Sequence, residues 1–341
     1  MAVNTWDGAA DTDWNTAGNW NTTGVTDRVP TADDDVVIAN VSNNPVMGDG
    51  LNPTLNSLEI ENGGHLTAGA NTITIDAAKG SNNAFKCDAS GTFVPSTSTV
   101  VLNAGSTQNI RGTNMNVAVP FYNLTLSGSA TKEIRDCDVT VSNDLTVATG
   151  ATFQNENSNN VITVTADVDV TGTLNTSAGG NHSFGSLTIA AAGTYSATSG
   201  TTTITKSMHN NWNNAGTFTH NKGTVLFDWD TDASYYFSSG GSSTGANQRF
   251  YNLTLLGPNS TRYYAVATED YLFIDNDLTI QEGILQRYHD NTDTITVYGN
   301  TYIESGGKLD WATNNGSNEA ATHHGLVTVH SGGTYLTGAG T

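Results

Sequence analysis

Apolar and polar residues alternate in short runs along most of this chain. Leu58-Glu59-Ile60 is one such run, and Leu145-Thr146-Val147 and Leu278-Thr279-Ile280 repeat the same pattern. A period of two places every second side chain on one face of a β-strand, whereas a helix needs apolar residues at spacings of three and four. No stretch of the sequence sustains the helical spacing. The pattern therefore predicts many short strands and almost no helix.

A glycine-rich corner follows many of these runs and leads into a second strand. The corners at Ser305-Gly306-Gly307 and Ser331-Gly332-Gly333 carry no Asn-Gly or Asp-Gly dipeptide of the kind that closes a tight antiparallel hairpin. A strand of about four or five residues cannot bury an apolar face alone, but the turns of a coiled chain stack their strands in parallel and share one core. We therefore predict an all-β fold, a parallel β-helix (β-solenoid). An array of β-sandwich domains is the alternative, because antiparallel strands also alternate.

Two long segments repeat the same order of strand-like blocks. Residues 121–126 and 250–255 have identical sequences, Phe-Tyr-Asn-Leu-Thr-Leu. Each is followed by an Asn-Asp-Leu-Thr block and then by an Ile-Thr-Val block. The duplication covers approximately residues 99–175, the first copy, and residues 224–310, the second copy.

The N-terminal segment, residues 1–50, differs from the remainder because it contains Trp6, Trp14 and Trp20. We predict a capping or attachment segment that covers the open edge of the first turn. Residues 51–341 then form the solenoid repeats, and roughly 20 to 25 residues per turn give about 15 turns for the chain. Residues 332–341 resemble residues 63–72, which run directly into a strand. We therefore expect that further turns or a tip domain follow and that the solenoid is truncated at its C-terminus.

The acidic composition narrows the classes of partner. The chain has 12 Lys and Arg against 32 Asp and Glu, a formal net charge of −20. Such a surface disfavours nucleic acid, whose binding depends on Lys and Arg at phosphates, and also anionic membranes. No apolar run approaches the roughly 20 residues of a membrane helix, so membrane insertion is not predicted. Cys87 and Cys137 build neither a disulfide framework nor a Cys-based zinc site, which predicts two small buried residues.

Three carboxylates occupy alternate positions of one predicted strand. Asp228, Asp230 and Asp232 would share a face, which suits a structural Ca²⁺ ion bound through oxygen ligands. The EF-hand pattern fails, because Ala233 stands where that loop requires glycine. A solvated acidic strand face is the alternative. The same choice applies to Asp33-Asp34-Asp35, whose alternative is a turn before a strand; no other cofactor is predicted.

Aromatic residues cluster in and around the second copy. If these residues lie on strands, alternate members point outward, and exposed rings suit stacking on sugars. Core filling and an interface between chains are the alternatives. The candidate glycan-binding residues are Trp212, Trp229, Tyr235, Tyr236, Tyr263, Tyr264 and Trp311.

Catalytic motifs do not stand out. The sequence contains no nucleophile elbow, zincin motif or phosphate-binding loop. Neighbouring carboxylates such as Glu269 and Asp270 carry little specificity in a chain with 32 acidic residues. His323-His324 is expected in an exposed loop rather than at a metal. We therefore predict no catalytic residue and no enzymatic activity.

The repeated Phe-Tyr-Asn-Leu-Thr-Leu blocks and the Asn-Asp-Leu-Thr strands resemble the repeats of bacterial surface adhesins and of phage tail-fibre or tailspike shafts. The segment from Trp6 to Ile38 is similar to the Trp-rich head that precedes such repeats. The resemblance covers most of the chain, but its motifs are structural and carry over no catalytic residue. It implies a fibre on a virion or a cell surface that presents a binding surface.

The function that this resemblance implies is that of a non-enzymatic structural or adhesion fibre of a virion, on a phage tail or attached to the capsid, which binds a host-surface glycan. A segment of a secreted bacterial surface adhesin, which would be extracellular, and a polysaccharide-degrading tailspike are the alternatives. Residues 1–7 lack the basic region and apolar core of a leader, which favours a virion protein made in the host cytoplasm. The resemblance further implies a homo-oligomer, a homotrimer in the case of a fibre, bound to other virion or surface proteins.

Overall fold

The computed structural model describes residues 2–113, 118–157, 160–206, 208–228, 235–240, 248–257, 261, 263–266, 271–287, 294–311 and 321–336. The chain divides into two compact units, Met1–Val164 with Gly172–Gly179 and Thr165–Thr171 with Gly180–Thr341. These ranges contain no α-helix, and the one helical turn in them is a 3-10 turn at Ala17–Asn19. The prediction of an all-β fold is confirmed.

The strands that begin in the first unit are short. They are, in chain order, β1 (Val3–Trp6), β2 (Trp20–Thr22), β3 (Asp35–Ile38), β4 (Thr54–Leu55), β5 (Ser57–Ile60), β6 (His65–Thr67), β7 (Thr72–Ile75), β8 (Asn83–Cys87), β9 (Thr92–Val94), β10 (Thr99–Leu102), β11 (Gln108–Arg111), β12 (Ala118–Phe121), β13 (Asn123–Leu126), β14 (Thr131–Arg135), β15 (Asp138–Val141), β16 (Leu145–Val147), β17 (Thr152–Asn155), β18 (Ile162–Val170) and β19 (Thr173–Asn175).

Most strands of the second unit are also short. They are β20 (His182–Ile189), β21 (Thr194–Ser196), β22 (Thr201–Ile204), β23 (Trp212–Asn214), β24 (Thr217–Thr219), β25 (Thr224–Asp228), β26 (Tyr235–Phe237), β27 (Asn252–Leu256), β28 (Tyr263–Val266), β29 (Tyr271–Ile274), β30 (Leu278–Arg287), β31 (Thr294–Val297), β32 (Thr301–Ile303), β33 (Gly307–Asp310), β34 (Thr322–His323), β35 (Val327–Val329) and β36 (Thr334–Leu336).

Parallel ladders hold the first unit together. One ladder contains β1, β3, β5, β8, β11, β14, β17 and β19, each strand paired in parallel with the next. A second ladder contains β4, β7, β10, β13 and β16, and a third runs from β12 through β15 to the first residues of β18. Each ladder is therefore one side of a coil in which every turn lies on the previous one.

The second unit is built in the same way. Its longest ladder contains β20, β22, β25, β27, β30, β32 and β35. Another contains β26, β28, the second half of β30, β33 and β36. A third, of β29, β31 and β34, carries the surface described below.

The pairing is that of a β-solenoid, as predicted. Among the described strand pairs only β1 and β2 run antiparallel, whereas β-sandwich domains are built from antiparallel sheets. The strands make about 11 turns, fewer than the roughly 15 expected from the usual repeat length. At least one turn is longer than the expected repeat of roughly 20 to 25 residues, because Asn252 and Thr224, which are neighbours in adjacent turns, are 28 residues apart.

Burial along the strands follows the alternation of the sequence. In β10, Val100 and Leu102 are buried and the residues between them are partly exposed. The parallel register places Leu102 directly beside Leu126 of the next turn. Full burial of such a side chain contributes about 1.5–3 kcal/mol relative to exposure. Continuous inward columns of Leu, Ile, Val and Phe therefore stabilise the stacked turns.

Glycine is required at the corners for two separate reasons. Gly63 has a φ of +80°, which disfavours residues with a Cβ. A Cβ at Gly64 would lie 2.3 Å from the carbonyl oxygen of Ile38, and a Cβ at Gly307 would lie 2.2 Å from that of Ile280. The second glycine of the corner therefore lets the backbone of one turn approach the strand of the turn before.

The Trp-rich segment at the N-terminus forms the first strands of the ladder. Trp6, Trp14 and Trp20 are at most 1% exposed, and Trp20 packs edge to face on Trp6 at 4.9 Å and on Trp14 at 4.6 Å. Trp20 Nε1 donates to the carbonyl oxygen of Trp14. Strand β2 pairs with β1 alone among the described strands, so it covers the edge that β1 would otherwise expose.

An asparagine ladder runs along the turns of each copy. In the first copy Asn123 Nδ2 donates to Thr99 Oγ1 at 3.2 Å, and Asn143 Nδ2 donates to Asn123 Oδ1 at 2.8 Å. The second copy has the same two hydrogen bonds, at 3.3 and 2.8 Å, between Thr224, Asn252 and Asn276. These bonds link a side chain of one turn to the next and fix the register of the strands that follow.

Candidate functional site

Aromatic side chains on β29 and directly after β31 and β34 form a surface in the second unit. Ile274 of β29 is fully buried, so Phe273 beside it points outward. Tyr298 directly follows β31 and is 43% exposed. A β-bridge between Phe250 and Ile274 places Arg249 beside Phe273 in the preceding turn. The stacking of three turns thus brings together residues that are far apart in sequence.

The guanidinium group of Arg249 packs on two of these aromatic rings. Its Cζ is 5.0 Å from the centroid of the Phe273 ring and 4.7 Å from that of Tyr298. Cation–π contacts contribute about 0.5–1 kcal/mol at exposed sites and more when desolvated. Arg249 Nε also lies 2.7 Å from Asp275 Oδ1, which is an ion-pair distance. Two rings and a carboxylate therefore hold the guanidinium group in place.

Further ring contacts extend this arrangement into neighbouring positions. His324 stacks on Tyr298 with ring centroids 4.8 Å apart and an interplanar angle of 1°. Tyr271 and Phe273 lie two residues apart on β29, with centroids 6.4 Å apart and an interplanar angle of 8°. We call this surface the aromatic ledge; it consists of Arg249, Tyr271, Phe273, Asp275, Tyr298 and His324.

Asp275 is the carboxylate around which basic groups of the ledge gather. His220 Nε2 lies 3.3 Å from Asp275 Oδ2, while Arg249 approaches Oδ1. The imidazole ring of His220 also contacts Tyr251, with centroids 5.3 Å apart. An arginine and a histidine thus share one carboxylate, and the positive charge of Arg249 offsets the negative charge of Asp275.

Two of the predicted glycan-binding residues belong to the core. Trp212 and Trp311 are each 1% exposed, so neither ring can offer a face to a ligand. Trp212 packs on Phe218 at 4.9 Å and on Phe250 at 5.2 Å. For these two tryptophans the structure supports the core-filling alternative, because β23 places Trp212 on an inward position.

The other predicted aromatic residues stay open as ligand contacts. Tyr236 and Tyr263 are half-buried, and Tyr236 stacks on His209 with centroids 4.4 Å apart. Trp229 lies outside the described residues, and so do the side chains of Tyr235 and Tyr264, whose backbones belong to β26 and β28. Sugar binding by these residues stays a prediction.

The predicted calcium site lies mostly outside the described residues. Asp228 ends β25 and is half-buried, whereas Asp230 and Asp232 are not among the residues that the structure describes. Within the described ranges, no group of three or more His, Cys, Asp or Glu side chains is arranged to hold a metal ion. A calcium ion at Asp228 and its neighbours stays a prediction.

The acidic run before β3 has internal partners. Asp34 is buried, which alone would raise its pKa, but hydrogen bonds from Arg28 and from the backbone and hydroxyl of Thr31 outweigh burial and lower the pKa below its usual value. Asp35 Oδ1 accepts hydrogen bonds from Asn56 Nδ2 and from Ser57 Oγ at 2.7 Å. These contacts favour the turn interpretation of the run over an ion site.

The structure also places the two cysteines of the chain. Cys87 and Cys137 are free and buried, as predicted, and burial raises their pKa values to about 11 and about 12, which leaves both thiols protonated and unreactive.

His323 lies on β34 rather than in a loop, and its ring nitrogens are within hydrogen-bond distance of Thr301 Oγ1 and Tyr335 Oη. The predicted loop was wrong for His323, because the ladder of β29 and β31 continues into β34, where His323 pairs with Val297.

Sequence reasoning missed the aromatic ledge, although the duplication contained a signal for it. Val139-Thr140-Val141 of the first copy corresponds to Leu272-Phe273-Ile274 of the second. Thr165, after the first Ile-Thr-Val block, corresponds to Tyr298 after the second. Inward positions stay apolar in both copies, whereas outward threonines become aromatic in the second copy alone. Because the first copy folds in the same way with threonine at these positions, the solenoid does not require the aromatic side chains of the second copy.

No helix in the described part of the chain is long and apolar enough to cross a membrane. No protein-family model, no curated protein and no solved structure matches the chain. The fold and the geometry of the ledge therefore carry the functional interpretation by themselves.

Proposed function

We propose that this chain is a non-enzymatic β-solenoid of an adhesion fibre and that the aromatic ledge binds carbohydrate. The ledge is the observation that carries the proposal. Tyr298 is 43% exposed, and Phe273 and Tyr271 are partly exposed beside it. Exposed aromatic rings next to polar groups suit sugars, whose apolar ring faces stack on them while their hydroxyl groups form hydrogen bonds.

The surroundings of Asp275 support binding rather than catalysis. Both of its oxygens are engaged, one by Arg249 at 2.7 Å and the other by His220 at 3.3 Å. Glycoside hydrolysis instead uses a pair of carboxyl groups placed on either side of the bond that is cleaved. The ion pair at Asp275 favours a carboxylate that positions Arg249.

The resemblance of the repeats to phage fibre shafts and bacterial adhesins supports a proposal for the larger assembly. We propose a virion fibre, with a bacterial surface adhesin as the alternative. The net charge of −20 supports a particle that stays soluble and separate from its neighbours. Immunogold labelling with antibodies against this chain separates the two: label on phage particles supports the virion fibre, and label on the bacterial surface alone supports the adhesin.

The test of carbohydrate binding replaces a ledge residue by its counterpart in the first copy. We expect Phe273→Thr to weaken binding of a glycan selected on an array at least about tenfold, because stacking and burial of the ring are lost. Thr140→Ala, at the same ladder position of the first copy, is the matched control and should leave affinity unchanged. Equal affinity of Phe273→Thr and the unaltered chain, or no glycan bound by the unaltered chain, would contradict the proposal.

A further inference from the structure

Arg249 presents two nitrogen atoms that the aromatic ledge leaves unused. Its Nε faces Asp275, while Nη1 and Nη2 pair with no carboxylate among the residues that the structure describes. The Arg249 side chain is 27% exposed, while its Nε is buried and makes no hydrogen bond despite its short distance to Asp275. A guanidinium group carries its donors in a rigid plane that matches the two oxygens of a carboxylate.

We infer that the carbohydrate bound by the aromatic ledge is an acidic saccharide, whose carboxylate binds Nη1 and Nη2 of Arg249. The inference rests on the proposed function. Phe273 and Tyr298 hold the guanidinium group by ring contacts at 5.0 and 4.7 Å. Little side-chain entropy is therefore lost when the carboxylate binds, which increases the affinity gained from each hydrogen bond.

The local charge balance supports an anionic ligand. Arg249 is one of only 12 Lys and Arg residues in the chain, and its described neighbours include one carboxylate, Asp275, which His220 Nε2 also approaches. Charges elsewhere on a chain of net charge −20 repel anions, but over distances beyond about 8 Å salt screens that repulsion at physiological ionic strength. Groups at the ledge therefore decide which sugars are accepted.

The ring contacts suit the rest of the sugar. The ring of Tyr298 lies next to the guanidinium group, and Thr296 and Thr322 occupy successive turns in the column that follows Phe273. A sugar whose carboxylate meets Arg249 thus finds an aromatic ring and threonine hydroxyl groups within the same surface. Saccharides with a ring carboxylate, of the uronic or sialic acid class, match this arrangement.

The experiment uses the full chain on an array that pairs acidic glycans with neutral counterparts, including methyl esters of the same saccharides. We expect the unaltered chain to bind acidic members at least about tenfold more tightly than their esters, the size of a hydrogen bond to a charged group. Arg249→Gln should abolish this preference, and Arg249→Lys should restore part of it, because Lys keeps the charge but not the planar pair of donors. Arg111→Gln, a basic residue of the first unit paired with Asp136, is the control.

The outcomes separate this inference from the proposed function. Binding of neutral glycans that Phe273→Thr weakens and Arg249→Gln does not would overturn the acidic ligand while leaving carbohydrate binding intact. Absence of binding to any glycan would overturn both. Circular dichroism and the unfolding midpoint of each variant establish that the fold is retained, so that a lost preference reports on the ligand contact.

Discussion

The two copies of the duplication keep their interiors and change their surfaces. The inward residues of the Phe-Tyr-Asn-Leu-Thr-Leu block are identical and fully buried: Phe121, Leu124 and Leu126 in the first copy and Phe250, Leu253 and Leu255 in the second. Their asparagine ladders agree to within a tenth of an ångström. Inward and corner side chains must fit the turns on either side, whereas outward side chains meet solvent. A stacked coil can therefore change its outward surface without changing its core.

The outward columns show this freedom directly. In the first copy Arg111 lies beside Arg135 of the next turn, and carboxylates flank them: Asp136 is 3.0 Å from Arg111 and Glu133 is 2.8 Å from Arg135. At β15 the outward residues of the first copy are Asp138 and Thr140, whereas the corresponding residues of β29 in the second copy are the aromatic Tyr271 and Phe273. Ion pairs are common on a solvated surface, whereas a contiguous patch of exposed aromatic rings is typical of an interaction site. The aromatic residues of the second copy are therefore the basis of the proposed binding role of that copy.

The largest effects are expected at the shared interior. Leu124→Ala and Leu253→Ala should each lower the free energy of unfolding by about 2–5 kcal/mol, because each leaves a cavity in a closely packed column. Both leucines are 0% exposed, so the two losses should be similar. Urea unfolding combined with hydrogen exchange of each strand measures them, with the outward neighbours Thr125→Ala and Thr254→Ala as controls. Losses that differ by more than about 2 kcal/mol would break the equivalence of the two interiors.

A smaller effect is expected at a charged residue inside the first copy. Lys132 is fully buried on β14, and its Nζ donates at 2.8 Å to the carbonyl oxygen of Ala104, a neutral acceptor. Burial lowers the pKa of this lysine from 10.5 to about 8. Between these two values the unfolded chain binds the proton more tightly, so the free energy of unfolding rises with pH.

Replacement of Lys132 isolates this contribution. The stability of the unaltered chain should rise by up to about 3 kcal/mol, relative to Lys132→Met, as pH increases from below 8 to 10.5. Unfolding in urea at pH 7, 8.5 and 10 measures the difference between the two proteins. The same pH dependence in both would mean that the amine is not desolvated in the folded state.

The fold was predictable because its determinants are local. Alternation within four residues defines each strand, and a glycine corner such as Gly63–Gly64 defines the step to the next. Which face of a strand points inward is harder to predict where alternation fails. Strand β23 consists of Trp212-Asn213-Asn214, and nothing in that sequence shows that Trp212 faces inward. Side chains of this kind are placed by the turns stacked around them.

The ledge was not predictable from any single strand. Arg249, Phe273 and Tyr298 become neighbours because three turns stack in one register, and turn length varies by several residues from one turn to the next. Adjacent turns in the second unit can be offset by 28 residues, as between Thr224 and Asn252. An offset error of one residue would turn each of these side chains to the opposite face. Alignment of the two copies removes this ambiguity, because it compares positions of equal phase.

The smallest effects are expected on the outward columns. Arg111→Gln should change the free energy of unfolding by less than about 1 kcal/mol, because its ion pair with Asp136 is exposed on both sides, at 35% and 41%. Tyr298→Thr, which introduces the residue of the first copy, should cost about 1 kcal/mol for the lost contacts with Arg249 and His324. Thermal unfolding of both variants measures these costs. A loss at Tyr298 as large as that at Leu253 would make the ledge a structural element and remove the reason to propose a ligand for it, whereas a small loss is the result that the proposed binding role requires.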